Sequence, residues 1–277
     1  MVLRDSYQMY GDLRPGAAGR RKLRAGSPDR NRIAPKTSIE KALAVLSAFN
    51  GPVRSRGLSE LARELKLPRP TVHRILKQLS DWGFVARLPS NRYQVGLRLF
   101  ELGTLVYHHM QLRNAAAPHL HSLYHQTRCS VYLTILAGDE VLHLDCIPGR
   151  GKPAIPARAG GRWSVHCSSV GKVLLAAAPK AQLDAYLARP LKPLTKYSIR
   201  DPKALAKHLD EVRKAGYAVT DEESLMGVFG VAAAVRDHHD EVVAAICIAS
   251  GNSAILRLHE QVKQTAERIS RDLSQAR

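Results

Sequence analysis

The sequence predicts an α+β chain with an N-terminal winged helix-turn-helix, a linker helix and a C-terminal α/β domain. Three observations predict it. Apolar residues recur at helical spacing in three short segments between 37 and 81, a basic hairpin pattern follows at 84–96, and from 111 onward helical and strand patterns intermix. With 277 residues the chain has room for two compact domains.

Residues 1–36 are rich in Gly, Pro and Arg and lack an apolar period, so they bury too little to offset ordering entropy and a disordered basic tail is expected. Order is expected from Thr37, where Thr37-x-x-Glu40 forms a capping box ahead of Ile39, Ala42, Leu43 and Leu46 at helical spacing. Asn50-Gly51-Pro52 ends that helix near Phe49. A second helix over 58–66 turns Leu58, Leu61, Ala62 and Leu65 inward, with Ser59 as its expected N-cap. A third over 69–81 has Pro70 in its first turn, where a missing amide hydrogen costs no helical bond. At about 100° per residue, Val72, Ile75, Leu76 and Leu79 share one face, while Pro70, His73, Arg74 and Lys77 share the other. Arg87 and Arg92 flank the hairpin turn Pro89-Ser90-Asn91.

A helix over 97–110 carries more apolar positions than a solvated linker needs, which predicts pairing with a second copy of the chain. The remainder reads as a helix over 112–127, strands over 129–137 and 140–147, and a turn-rich segment over 148–163. Helices over 170–178, 180–188 and 201–216, strands over 217–222, 228–236 and 241–249, and an amphipathic helix over 257–275 complete it. The expected units are therefore 1–36 (tail), 37–98 (winged helix), 99–112 (linker) and 113–277 (α/β domain).

The net charge of +18 attracts phosphate backbones, and residues 1–110 carry most of it, with 20 Lys and Arg against 8 Asp and Glu. Apolar runs such as 170–178 fall well short of the roughly 18 residues a membrane span needs, so no membrane partner is expected. Cys129, Cys146, Cys167 and Cys247 form no CxxC pair, which argues against a disulfide scaffold or zinc ribbon and fits a reducing cytoplasm. No signal-peptide core is present at the N-terminus, so a cytoplasmic location is expected. His108-His109 and His238-His239 are adjacent pairs without the i, i+4 spacing of helical metal ligands, and no metal or cofactor is expected. His166-Cys167 are also adjacent, and neighbours on an extended segment point to opposite faces, so no catalytic dyad is expected. Gly171-Lys172 lacks phosphate-loop spacing because Val173 follows. Gly171 is expected instead where backbone approaches a ligand closely.

A duplex major groove admits one helix, and a reader needs donors on one face of it. Arg69, Thr71, His73, Arg74 and Lys77 are the candidates on the third helix, with Arg74 placed to fork onto a guanine edge and Arg69 or Lys77 suited to phosphate. Ser59 and Thr71 can donate hydroxyls to phosphate, and Arg92 is expected to reach a minor groove from the hairpin.

The stretches SIEKALAVL (38–46), LSELARELKLPRPTVHRILKQL (58–79), YQVGLRLFELG (93–103), VHCSSVGKVLLA (165–176), GYAVTDEES (216–224) and GVFGVAAAV (227–235) together resemble the IclR family of bacterial transcription regulators. The resemblance covers nearly everything from residue 37 onward. It implies a winged helix bound to a double-stranded DNA operator, a dimerising linker helix, and a C-terminal domain of GAF-like fold that binds a small-molecule effector. Carried over by position, it implies an effector pocket lined by Ile155, Ser169, Val170, Asp221, Val228, Gly230, Cys247 and Ala249. Where relatives that bind small oxo-acids tend to place hydroxyls on the penultimate strand, this chain has Cys247 and Ala249, which favours a larger, aromatic acid. A slip of one residue would bring Ser250 into the pocket instead.

The resemblance implies a homodimer or tetramer acting as a repressor, with activation the open alternative. Two rivals make different predictions. An enzyme with an accessory helix-turn-helix needs convergent acid-base or Cys/His geometry, and a nucleoid-type basic binder needs no ligand and shows no sequence preference.

Overall fold

The computed structural model describes residues 35–275 except 51, 52, 54 and 151–157. The expected basic tail, apart from Pro35 and Lys36, and the pocket candidate Ile155 therefore lie outside the described residues.

The N-terminal unit contains α1 (Ser38–Ser47), β1 (Arg56–Gly57), α2 (Leu58–Leu65), α3 (Arg69–Asp81), β2 (Val85–Arg87) and β3 (Arg92–Val95), with strand order β1-β3-β2. The capping box at α1 forms as the sequence predicts: the Glu40 N–H donates to Thr37 Oγ1 at 3.1 Å and the Thr37 N–H to Glu40 Oε2 at 2.9 Å. The core joins Val45, Phe49, Leu61, Ala62, Val72, Ile75, Leu76, Val85 and Tyr93. Two expectations change. Gly57, not Ser59, caps α2, with its N–H satisfied by the Glu60 carboxylate at 3.1 Å, which leaves Ser59 in the first turn. On α1 Val45 is buried with Ala42 and Leu46 packed beside it, while Ile39 and Leu43 are 73% and 58% exposed, so the apolar period divides between an inward and an outward stripe.

The predicted helix over 97–110 is broken. α4 (Leu97–Thr104) ends at Leu105–Val106, and α5 (Tyr107–Thr127) then runs through the expected boundary at 112. Gly103 is a weak helix former, and the Thr104 hydroxyl donates back to the Glu101 carbonyl at 2.7 Å, which loosens the last turn.

The C-terminal unit is a six-stranded antiparallel sheet of order β6-β5-β4-β9-β8-β7, formed by β4 (Ser130–Ala137), β5 (Glu140–Ile147), β6 (Arg162–Ser164), β7 (Tyr217–Asp221), β8 (Phe229–Arg236) and β9 (Val242–Ser250). β6 overlaps the end of the segment expected to be rich in turns. Alternation along the strands divides the sheet into two faces. Val131, Leu133, Ile135, Val231, Ala233, Ile246 and Ile248 pack against α5 and α9 (His259–Gln275). Tyr132, Ala232, Ala245 and Cys247 face α6 (Ser169–Ala177) and α8 (Pro202–Ala215), with α7 (Lys180–Leu187) beside them. A GAF-like arrangement of helices over both faces of one antiparallel sheet results. α6 can lie close because Gly171 has no side chain: a Cβ there would fall 2.1 Å from the Val165 carbonyl oxygen. That close approach is to backbone, so the expectation that Gly171 admits a ligand is corrected.

Candidate functional site

Two sites emerge, one at each end of the chain. On α3 the core face seats Val72, Ile75 and Leu76, and the opposite face exposes Arg69, His73, Arg74 and Lys77 with Thr71 half-buried at its edge. Among the described residues none of these four basic side chains makes a hydrogen bond or ion pair, so their donors remain available to a partner. Ser59 is exposed at the start of α2.

Arg92 is different. Its guanidinium donates to Glu60 Oε1 and Oε2 at 3.0 and 3.1 Å, to Ser55 Oγ at 3.0 Å and to the Ser55 carbonyl at 2.7 Å. The side chain ties the hairpin to the start of α2, an engagement that competes with the minor-groove contact expected of it. Arg87, exposed on the other arm of the hairpin, has among the described residues only Asn91 Oδ1 as acceptor, at 2.7 Å. Charge alone marked both arginines; the carboxylate three residues after Gly57 was the signal that one of them is engaged.

The second site is a cavity of about 60 Å³ between the sheet and the start of α6. That is small beside the roughly 300–1,000 Å³ of drug-sized ligand sites, which runs against the larger acid the sequence favours unless the walls part to admit a ring. Ser169, Val170, Val228, Gly230, Cys247 and Ala249 line it as the resemblance implies. Asp221 does not; it is exposed at the end of β7. The register of β9 holds Cys247 and Ala249 on the cavity side, while Ser250 turns to the other face, where it meets Cys129.

Sequence reasoning missed Tyr132, His143, Trp163, Ser168, Thr220, Ser224, Leu225 and Phe229. Strand alternation puts Tyr132 and Cys247 on one face only once their pairing is known, and register Tyr132↔Cys247↔Ala232 supplies it. A second row, Ser130↔Ala249↔Gly230↔Thr220, runs beside the first.

These rows give the cavity two ends. At the β7–β8 end a Cβ built on Gly230 would lie 2.7 Å from Thr220 Oγ1 and 3.0 Å from Ser169 Oγ, so two hydroxyls converge over a bare stretch of backbone. Above them α6 begins: its N-cap Ser168 accepts the Gly171 N–H at 3.2 Å, and the N–H groups of Ser169 and Val170 have no partner within the helix. Such an end favours an anion. At the β5–β6 end stand Tyr132, His143 and Trp163, with the rings of Tyr132 and His143 4.8 Å apart. Among the described residues, no Lys, Arg, Asp or Glu lines the cavity.

Burial pushes the Cys247 thiol up to about 12, which keeps it protonated, and raises the Tyr132 phenol as well. His143, hydrogen-bonded through Nδ1 to Thr134 Oγ1 at 2.9 Å, is lowered by desolvation from 6.5 to about 4. Its folded value lies below its unfolded one, so the stability it contributes is present above pH 6.5 and is lost as pH falls toward 4. His143→Gln is therefore expected to flatten the fall in melting temperature between pH 6.5 and 4. Parallel curves for the two proteins would contradict that assignment.

The cavity wall also touches the N-terminal unit. The His143 backbone carbonyl accepts the Gly160 N–H at 2.8 Å and the His143 backbone N–H donates to the Gly161 carbonyl at 2.9 Å, and from that same turn the Arg158 guanidinium donates to the Asn50 carbonyl at 3.0 Å and to Asn50 Oδ1 at 2.7 Å.

His166 and Cys167 are both buried but diverge: His166 Nδ1 meets the Tyr186 hydroxyl at 2.9 Å, and Cys167 Sγ faces the Lys192 carbonyl at 4.0 Å. No group of three or more His, Cys, Asp or Glu converges on a common point among the described residues. No helix among them is long and apolar enough to cross a membrane.

Known proteins give the same picture. The IclR helix-turn-helix domain matches residues 38–89, and the domain described as bacterial transcriptional regulator IclR C-terminal matches 104–273. The chain is 30% identical over 243 residues to the HTH-type transcriptional regulator XynR of Escherichia coli, covering 85% of this chain and 96% of that protein. It is 28% identical over 258 residues to the HTH-type transcriptional repressor AllR of Klebsiella pneumoniae, covering 91% and 95%. Among solved structures, an IclR homolog from Microbacterium hydrocarbonoxydans complexed with 4-hydroxybenzoate superposes with a TM-score of 0.79 at 28% identity, over 87% of this chain and all of that one. These relatives are regulators of transcription and not enzymes. With the helix-turn-helix matched at one end and the C-terminal domain over most of the remainder, the chain belongs to the IclR family of bacterial transcription regulators.

Proposed function

We propose that this chain is a cytoplasmic repressor that binds an operator as a homodimer, or a pair of dimers, and is controlled by an aromatic carboxylic acid. The observation that carries the effector class is the two-ended cavity. Its hydroxyl and helix-start end suits a carboxylate, its Tyr132, His143 and Trp163 end suits a ring, and among the described residues neutral donors line it. The 4-hydroxybenzoate held by a structural relative supports this reading, as the name of the AllR repressor supports the sign.

In this reading Ser169, Val170, Val228, Gly230, Cys247 and Ala249 contact the effector, joined by Tyr132, His143 and Trp163. Arg74 reads a base edge, Arg69, Lys77, Ser59 and Thr71 engage phosphates, His73 lies against the groove, and Arg87 replaces Arg92 at the wing. The exposed apolar residues of the linker region, among them Leu97, Phe100 and Leu105 at 71%, 68% and 76% exposure, form the dimer contact together with Ile39 and Leu43. The DNA-binding unit then spans 37–98, and the linker ends at the break before α5.

The test is a thermal-melt series with benzoate, 4-hydroxybenzoate, benzamide and glyoxylate. At a hundredfold excess over Kd a bound acid adds about 2.7 kcal/mol to stability. The two aromatic acids are expected to raise Tm and the amide and the small oxo-acid to leave it unchanged. A shift with glyoxylate alone, or with none of the four, would overturn the effector class.

A further inference from the structure

Lys172 is fully buried in α6, with its ammonium 2.5 Å from Glu223 Oε1 and 3.5 Å from the Val219 carbonyl. Glu223 is itself buried and sits in the loop between β7 and β8, immediately before the cavity-lining residues Ser224 and Leu225. Its backbone is gripped from the other side, since the Ser198 hydroxyl donates to the Glu223 carbonyl at 2.7 Å and the Thr195 hydroxyl at 3.3 Å. The rest of the loop is closed by local bonds: the Glu222 N–H donates to the Val228 carbonyl at 3.0 Å, the Gly227 N–H to Glu222 Oε2 at 2.7 Å, and the Val228 N–H to the Leu225 carbonyl at 3.0 Å. Glu222 holds a positive φ of 54°, so the loop is wound into one definite shape.

Burial disfavours the charged form of both partners, lowering Lys172 and raising Glu223. Replacing such a pair with apolar side chains of similar volume is often neutral or stabilising, so fold stability gives little reason for a charged pair here. Directionality does. A bond from the second turn of α6 fixes Glu223 in register against the same helix whose first turn lines the cavity, whereas apolar contact lets the loop slide.

We propose that Lys172 and Glu223 are positioning residues for the effector site: their ion pair locks the β7–β8 loop to α6 and so sets the wall formed by Ser224 and Leu225. Neither side chain lines the cavity. The proposal rests on the reading that this cavity holds the effector.

The test compares wild type with Lys172→Met/Glu223→Met, which removes both charges at similar volume. Four quantities are read: Tm, exchange of the Glu222, Gly227 and Val228 amides without ligand, affinity for 4-hydroxybenzoate, and operator affinity without ligand. The double variant is expected to keep Tm and operator affinity, to exchange those amides about tenfold faster, and to bind the acid about tenfold more weakly, a change of about 1.4 kcal/mol in each case. Single Lys172→Met, which strands a buried carboxylate, is expected to lower Tm. Unchanged exchange in the double variant would overturn the proposal, as would faster exchange with unaltered acid affinity. Faster exchange in a protein whose wild type binds none of the aromatic acids would sink the effector reading and leave the anchoring role standing. If the double variant does not fold, Glu223→Gln, which keeps shape and an acceptor, is put through the same exchange measurement with the same direction expected.

Discussion

Arg74→Ala is expected to abolish specific operator binding while leaving the dimer and its melting temperature unchanged. Arg74 is exposed on α3, opposite the face formed by Val72, Ile75 and Leu76, and has no partner among the described residues, so its removal takes nothing from the fold. A bidentate contact to a base is worth about 1–3 kcal/mol, or roughly 5- to 150-fold in affinity, and a dimer loses one in each half-site. Lys77→Ala should behave differently. A lost phosphate contact weakens binding to every sequence alike and reduces the slope of log affinity against log salt by about 0.9 per contact. Arg92→Ala supplies the contrast, because it breaks the clamp on Glu60 and Ser55 and is expected to lower the stability of the winged helix before it touches specificity. Footprints and salt titrations of the three variants check all of this, and an unchanged footprint for Arg74→Ala removes that residue from the interface.

Gly230→Val is expected to eliminate the effector response and to spare DNA binding. Gly230 lies in β8 and is not among the residues with positive φ, so its backbone accepts any side chain. The constraint is space. A Cβ alone already crowds Thr220 Oγ1 and Ser169 Oγ, and two further methyls project into a cavity of about 60 Å³ at the end assigned to the carboxylate. Overpacking of this kind costs about 1–3 kcal/mol of stability. Gly230→Ala should fall between wild type and Val in acid affinity by calorimetry. Wild-type affinity in Gly230→Val would place the acid elsewhere.

Reading order and type of elements from this sequence succeeded where the signal was local. The Thr37–Glu40 box, the Pro70 start of α3 and the face carrying Val72, Ile75 and Leu76 are all set by neighbours within one or two turns, and they appear in the structure as expected. The misses share a cause. Whether Arg92 meets DNA or Glu60 depends on a partner 32 residues away, and whether Ile39 and Leu43 pack inward depends on where α2 and α3 lie. The cavity shows the same division. Ser169 and Val170 follow from the family resemblance, while Tyr132, His143 and Trp163 come together only through the order β6-β5-β4-β9 and its register. Lys172, which lacks phosphate-loop spacing and so has no role legible in the sequence, is committed to a carboxylate 51 residues along the chain.

Repression relieved by an acid requires that the acid and the operator prefer different states of one protein, and the coupling is then reciprocal. The most direct measurement is operator affinity by fluorescence anisotropy as 4-hydroxybenzoate is titrated to saturation at fixed salt. The account predicts that operator Kd rises by about 5- to 150-fold, the range of ordinary allosteric coupling, and that operator DNA weakens the acid by the same factor. Saturating acid, shown by calorimetry to be bound, with an operator Kd that does not move would contradict it.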